Sequence, residues 1–448
     1  MDGRPHSEDA RKLVHIGFGA CAFLLRDLHW WGAALLALTA LVFNLLLMPR
    51  VGSIIYRPAD RLRAFAPGVV FYPLAVLLLL LLFPRRLDIA ASAWAILAVG
   101  DGMAGVVGRR FGRRRIPWNR EKSIVGSLAL FLCGGAAGAL LAWWSRPAAA
   151  IEPSLLFSLG APFAGALVAA LAETIPIRLD DNLSVPFAAA GVMWALSLVS
   201  AERALDLLGS LPTLLPAAAA INIAAAWAGY KAHTVTLAGA ICGAAIGIAI
   251  AVTAGWSGWL VLGATFLSAA VSSRMGVRRK TLLGIAEERG GRRGAGNALA
   301  NTGFAAAAAV VSALSPSPAP ALLAFSASLA AGGSDTVASE IGKAWGSKTF
   351  LVTTMRLVRP GTPGGISLEG TLAGLAAASL IAMLAAALGL IAWAAIFAVV
   401  FGAWIGSLVE SALGATLEAP GVLNNDTLNF LNTAIAAAAA IAIASAWT

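Results

Sequence analysis

Two aspartates stand inside apolar segments, Asp101 in Gly100-Asp101-Gly102 and Asp335 in Gly333-Ser334-Asp335-Thr336. An ionised carboxylate there costs roughly 2.5–3.5 kcal/mol on insertion scales, so its retention needs a reason. One reason is structural, a snorkelling or helix-capping acid; the other is a ligand. Gly100, Gly102, Gly105 and Gly108 surround the first Asp, and Gly332 and Gly333 precede the second. Such glycines bare the backbone for a ligand or let helices pack closely. A carboxylate beside open backbone suits Mg2+ (or Mn2+) carrying a nucleotide's phosphates, which makes Asp101 and Asp335 catalytic and metal-ligating candidates.

A basic run follows the first Asp: Arg109, Arg110, Arg113, Arg114, Arg115, Arg120 and Lys122, then Ser123 at a helix start. Guanidinium forks, a hydroxyl and helix N-terminal amides are the parts of a polyphosphate site. Attraction of anionic lipid head groups accounts for part of the same charge. No G-x-x-x-x-G-K-[ST] is present, which excludes a P-loop kinase. Glu173 with Asp180-Asp181-Asn182, and Glu410 with Asn424-Asn425-Asp426 and Asn429, gather acids at span ends. They are surface acids, or they bind a second metal ion and take the proton from an attacking alcohol. Glu173, Asp181, Glu410 and Asp426 are the catalytic candidates, Asp180 a metal ligand, and Asn182, Asn425 and Asn429 their support. His15 and His233 each open a span, where a hydrogen-bonded structural role is favoured over a phosphate contact.

These residues must be positioned by membrane helices. The chain is 59% hydrophobic and 12% charged, about half the charge a soluble surface of this size carries. Fifteen apolar runs approach the ~20 residues that span a bilayer: 13–27, 30–48, 69–83, 87–107, 123–144, 153–172, 185–201, 212–229, 234–254, 256–272, 297–314, 319–344, 366–388, 390–409 and 428–447. Met1 to Glu8 is polar and the first run lacks a small-residue cleavage site, so no cleavable signal peptide is expected. The net charge of +10 falls in short loops, which argues for membrane topology and against nucleic acid. Cys21, Cys133 and Cys242 have no metal-ligand spacing and read as packing residues. With the N-terminus inside, the basic loops Arg50 to Arg63, Arg109 to Lys122 and Arg274 to Arg293 are all cytoplasmic. The acid clusters then share that face, and the C-terminus lies on the opposite side of the inner membrane.

The signals recur in order: a Lys/His pair opening a span, a basic loop, an intramembrane Asp, a Ser-x-x-Gly turn into the next span, an acid, and an Asp/Asn cluster. We expect an all-α polytopic membrane protein of about fifteen helices, built as two parallel seven-helix repeats. The extra span at 212–229, flanked by Pro212 and Pro216, restores the orientation as a linker helix (206–230) between domains 1–205 and 231–448. Pro176 and Pro186 bracket the return of the chain into the membrane after Glu173.

The first half, about residues 10–200, resembles the CTP-dependent polyprenol kinases, the dolichol kinase and phytol kinase group. The match rests on Arg11-Lys12-x-x-His15, Gly100-Asp101-Gly102, Gly108 to Gly112, Lys122-Ser123-x-x-Gly126-Ser127, and Ala172-Glu173 with Asp180-Asp181-Asn182-Leu183. It implies transfer of the terminal phosphate of CTP to an isoprenoid alcohol, with Lys12, His15 and Gly126 among the site residues. The second half, about residues 225–445, resembles the membrane family that includes phytyl-phosphate kinase. Its motifs are Gly296-Asn297-x-x-x-Asn301, Ser334-Asp335-Thr336-Val337-Ala338-Ser339-Glu340, Pro360-Gly361-Thr362-x-Gly364-Gly365-x-Ser367, Glu410-Ser411-x-x-Gly414 and Asn424 to Asn429. This implies a second step, monophosphate to diphosphate, with Glu340 as a metal ligand and Ser367, Asn297 and Asn301 on phosphate. The arginine run has no counterpart after Asp335, so phosphate binding is drawn from Arg289, Arg292 and Arg293. The expected partners are the isoprenoid alcohol, the isoprenyl phosphate and membrane lipid. A CTP:lipid-phosphate cytidylyltransferase and a transporter of isoprenoid phosphates remain the alternatives.

Overall fold

The computed structural model describes residues 8–48, 67–175, 180–285, 292–418 and 423–446. The loop Arg50 to Arg63, Pro176 and Arg289 lie outside these residues. Each of the fifteen apolar runs falls on helix. Ten described helices are long and apolar enough to cross a membrane, and shorter apolar helices cover 30–46, 68–82 and 237–253. The chain divides into two compact units, Met1–Ser197 and Leu198–Thr448.

The first unit holds α1 (Glu8–Gly19, continued by a 3-10 stretch Ala20–Arg26), α2 (Trp30–Leu46), α3 (Pro67–Leu82) and α4 (Leu87–Phe111). α5 (Ile124–Trp144), α6 (Leu155–Glu173) and α7 (Asp181–Ser197) complete it. The helix carrying Asp101, α4, is its centre: Ile96, Leu97 and Ala98 are fully enclosed. α4 and α5 each contain a π-helical turn, Ile96–Asp101 and Leu130–Gly134, and they cross where Gly100 meets Gly134. A Cβ on Gly100 would stand 3.2 Å from the Gly134 Cα, so these glycines serve close helix packing. Gly102 likewise receives Ile16 of α1, and Gly105 the stem of Lys12. Pro186 is inside α7 rather than at its edge.

The second unit runs α8 (Ala201–Lys231), α9 (Leu237–Thr253), α10 (Gly255–Arg274), α11 (Val277–Leu282), α12 (Ala295–Leu314), α13 (Ala319–Trp345), α14 (Leu368–Ala387), α15 (Trp393–Glu418) and α16 (Asn425–Ser445). Pro212 and Pro216 lie within α8 and do not flank it. α13, which carries Asp335, is packed by α10, α12, α14 and α16, with Phe325 and Leu329 fully buried. α4 and α13 are the most enclosed of the ten candidate spans, each 72% buried. The two intramembrane acids therefore sit on the central helix of their units.

Two short β elements were not expected from the sequence. β1 (Arg115–Ile116) and β2 (Asn119–Ser123) make an antiparallel hairpin in the arginine loop. β3 (Thr349–Leu351) lies between β4 (Leu357–Val358) and β5 (Gly365–Ser367), with Thr349 opposite both Val358 and Ser367. Backbone groups beside a membrane body must be paired, and these loops pair their own. The strand takes Ile366 and Ser367, so α14 starts at Leu368 rather than at 366.

Both strands that precede a helix end on a serine cap. Ser123 Oγ accepts from Gly126 N at 3.1 Å, and Ser367 Oγ from Gly370 N at 3.2 Å. Each serine packs into a glycine pair on the Asp-bearing helix, Gly108 and Gly112 in one unit, Gly342 and Gly346 in the other.

Candidate functional site

In the first unit, Lys12 Nζ lies 2.6 Å from Asp101 Oδ2. His15 Nε2 is 3.6 Å from the same oxygen and 3.2 Å from the Leu97 carbonyl, an acceptor that requires a proton on Nε2. The ring stands edge-on to Tyr72, whose hydroxyl donates to the His15 carbonyl and accepts from Trp94 Nε1. His15 is thus held by its surroundings.

Lys122, the last residue before the capping serine, hydrogen-bonds Glu173 Oε1 and, at 2.7 Å, Asp181 Oδ2. One oxygen from each of Asp101, Glu173 and Asp181 lies within 4.8 Å of the others. Asp101 and Glu173 are buried, while the Asp181 side chain is 38% exposed and opens the cluster to one side. Burial alone would lower the Lys122 pKa, but the carboxylates of Glu173 and Asp181 outweigh it and raise the ammonium above the usual lysine range. Three converging carboxylate oxygens are a hard donor set that fits Mg2+ or Mn2+. Two ammonium groups, Lys12 and Lys122, offset two of the three negative charges.

The remaining candidates of this unit take other places. Asp180 Oδ1 accepts from the backbone and side-chain nitrogens of Asn182, so the neighbouring acid, Asp181, is the one that reaches Asp101. Ser123 and Gly126 are buried in the cap and its packing, with the serine oxygen accepting from the Gly126 nitrogen. Arg109 and Arg110 end α4, and Arg113, Arg114 and Arg115 lead into the hairpin, all exposed. Trp118 at the hairpin tip donates to Thr174 Oγ1 at 3.3 Å, which lays the arginine loop beside Glu173. The side chain of Arg11 is outside the described residues. The sequence reading overlooked the Lys12–Asp101 pair; the signal available was a lysine opening the first span, since an intramembrane acid calls for a cation.

In the second unit, a cavity of about 230 Å3 is lined by Asp335, Glu410, Ser367, Lys343, Glu418 and Asn425, and by the loop 360–365. Gly364 holds a left-handed φ of 74°, and a Cβ there would stand 2.7 Å from the Ala415 nitrogen. Only glycine lets that loop rest on α15. Glu410 Oε2 is buried without a hydrogen-bond partner.

Glu340 does not line this cavity. Its Oε2 receives the buried Lys280, and its Oε1 receives Lys343 at 3.1 Å. Arg292 is exposed, and the Arg293 backbone bridges Thr234 and Thr236 beside α9. Asn301 Nδ2 donates to the Asn297 carbonyl at 3.0 Å, an interaction within α12. Asp426 lies against Gly296 at the start of α12, and Asn429 is buried in α16. Neither Arg292, Arg293, Asn297, Asn301, Asp426 nor Asn429 lines the cavity. His233 occupies a left-handed turn after α8, with φ 58°.

The family described as integral membrane protein DUF92 matches residues 220–437. The chain is 40% identical over 201 residues to "Uncharacterized membrane protein sll0875" of Synechocystis sp. (strain ATCC 27184 / PCC 6803 / Kazusa), covering 44% of this chain and 78% of that protein. It is 34% identical over 194 residues to "Protein VTE6, chloroplastic" of Arabidopsis thaliana, covering 42% of this chain and 58% of that one. "Probable phytol kinase, chloroplastic" of Triticum aestivum is 37% identical over 123 residues, 27% of this chain and 41% of that protein. The chain thus spans about half the length of these two plant relatives. No solved structure matches it.

Proposed function

The chain belongs to the integral membrane protein DUF92 family, and from that premise we propose that it phosphorylates isoprenoid lipids at two sites, one in each unit. The observation that carries this reading is the convergence of Asp101, Glu173 and Asp181 beside Lys122 and the arginine hairpin. The motif resemblance of the first half to the CTP-dependent polyprenol kinases supports an isoprenoid alcohol as acceptor and CTP as donor there, and similarity of the chain to a probable phytol kinase agrees with such an acceptor. The resemblance of the second half to the phytyl-phosphate kinase family supports the monophosphate as acceptor there.

Asp101, Glu173 and Asp181 would hold the divalent ion, which neutralises charge on the nucleotide's phosphates when bound. Arg113, Arg114 and Arg115 bind the outer phosphates from the hairpin. The lipid hydroxyl oxygen attacks the terminal phosphorus, the bond to the bridging oxygen breaks, and CDP leaves. Asp181, the most exposed of the three acids, takes the hydroxyl proton. In the second unit Asp335 and Glu410 take the corresponding places on the cavity wall.

We infer further that the halves are two parallel seven-helix repeats, domains 1–205 and 231–448, around one linker helix. The matching serine caps and glycine pairs support this. Both sites would face the cytoplasm of the inner membrane, with the N-terminus inside and the C-terminus outside, a reading that the basic loops of the sequence support.

The test is purified full-length chain with CTP labelled at the α or γ phosphate, given phytol or phytyl phosphate. Label from the γ position in the lipid supports the kinase. Label from the α position assigns cytidylyl transfer instead. An inert chain that moves isoprenoid phosphates across liposomes is a transporter.

A further inference from the structure

Among the described residues, the lining of the cavity in the second unit includes three carboxylates, Asp335, Glu410 and Glu418, and one cation, Lys343. We propose that Lys343 is the residue that grips a phosphate monoester in this cavity, and that Glu340 is its positioning residue. The proposal rests on the kinase reading of the second unit and assigns its missing phosphate contact.

The geometry of Glu340 supports this. It is 2% exposed, and its two oxygens are taken by two different ammonium groups. Lys280 is as enclosed as Glu340, and its Nζ also donates to the Ser273 carbonyl at 2.8 Å, so it is anchored from two sides. One carboxylate against two ammonium groups leaves a surplus positive charge. That surplus belongs to Lys343, the exposed member of the three at 27%. The buried Lys280–Glu340 pair thus acts as a fixed post from which Lys343 leans into the cavity.

The floor between acid and cation is made of small residues. Asp335, Ala338, Ser339, Gly342 and Lys343 all line the cavity along one face of α13. Eight residues of helix place Lys343 about 12 Å along the axis from Asp335. Asp335 has the longer apolar stretch of α13 on its side, and Lys343 is in the last turn. A head group entering between them meets the ammonium at the helix end and the carboxylate further in. Ser367 and Thr371, at the turn into α14, add hydroxyls to the lining. A phosphate monoester fits beside Lys343 because its oxygens accept from ammonium and hydroxyl alike.

The experiment measures binding directly and turnover separately, on the full-length chain in detergent, with geranyl phosphate and CTP as separate probes. Lys343→Met should weaken binding of one probe at least tenfold and raise its KM by a similar factor, with kcat changed less than threefold. The probe affected identifies the source of the phosphate. Lys343→Arg should recover most of the affinity. Glu340→Gln strands the buried Lys280 and risks the fold. The double variant Lys280→Met with Glu340→Gln removes both enclosed charges, and it should leave the protein folded but loosen binding about threefold to tenfold through a mispositioned Lys343. Unchanged affinity for both probes in Lys343→Met overturns the proposal, even where phosphoryl transfer persists. Lys343-dependent binding without any transfer overturns the kinase reading and leaves this site standing.

Discussion

In the first unit the residue before the capping serine is Lys122, whose ammonium holds Glu173 and Asp181. In the second it is Ile366, and Glu410 faces a cavity with one buried oxygen unpaired. The surrounding frame is shared. Asp101 and Asp335 each stand about two helical turns before a glycine pair that receives the next helix's serine. Backbone contact fixes that frame, because any side chain at Gly112 or Gly346 would run into the serine and the preceding turn. Charge balance is less constrained. One unit supplies its counter-ions from within, Lys12 and Lys122, and the other leaves its central acids open and places its cation, Lys343, at the cavity edge. The same joint can therefore carry two charge arrangements.

The comparison breaks most readily at the aspartates. Asp101→Asn should reduce alcohol phosphorylation by about a thousandfold and spare monophosphate kinase activity, and Asp335→Asn should do the reverse. Loss of both activities from either change, in protein that elutes as folded, defeats the two-site reading.

A smaller effect separates the counter-ions. Lys122→Met leaves the buried Glu173 without its cation, and about 1–3 kcal/mol of stability should be lost, less than a fully buried pair because Asp181 is partly solvated. Ile366→Met, at the equivalent place, should cost under about 1.5 kcal/mol. Melting with and without Mn2+ checks the sign: the Lys122 variant should gain more from the ion than the parent, as carboxylates freed of an ammonium bind it better. Equal gains would mean that Lys122 and the ion do not share ligands.

The smallest expected change sharpens the difference in phosphate binding. Arg114→Ala should raise the nucleotide KM of alcohol phosphorylation about threefold to tenfold with kcat little altered. The monophosphate reaction should be untouched. An unaltered KM leaves the hairpin arginines as topology signals.

Much of this was legible from residue types. The apolar runs located the helices because a spanning segment must satisfy its own backbone, so composition and length suffice. Asp101, Glu173 and Asp181 could each be singled out because acids inside or at the edge of a membrane are few, but only the fold brings them together. Ser123 and Ser367 were read as phosphate contacts, and only the fold shows that each also caps its helix, since a serine at a helix start has the same spacing for either role. Glu340 was assigned to a metal, and only the fold shows its two oxygens engaged by Lys280 and Lys343. The glycines near Asp101 could serve ligand or helix, and Gly134, Ile16 and Lys12 fill the space.

By itself the sequence determined the membrane body, the helical segments and the short set of intramembrane acids. Those follow from the cost of polar groups in hydrocarbon, which acts residue by residue. The tertiary structure decided which cation answers which acid. Lys12 reaches Asp101, Lys122 reaches Glu173 and Asp181, and Lys280 reaches Glu340 across long stretches of chain. An ion pair depends on a few ångströms of separation, and only the packing of the glycine-lined helices sets that distance.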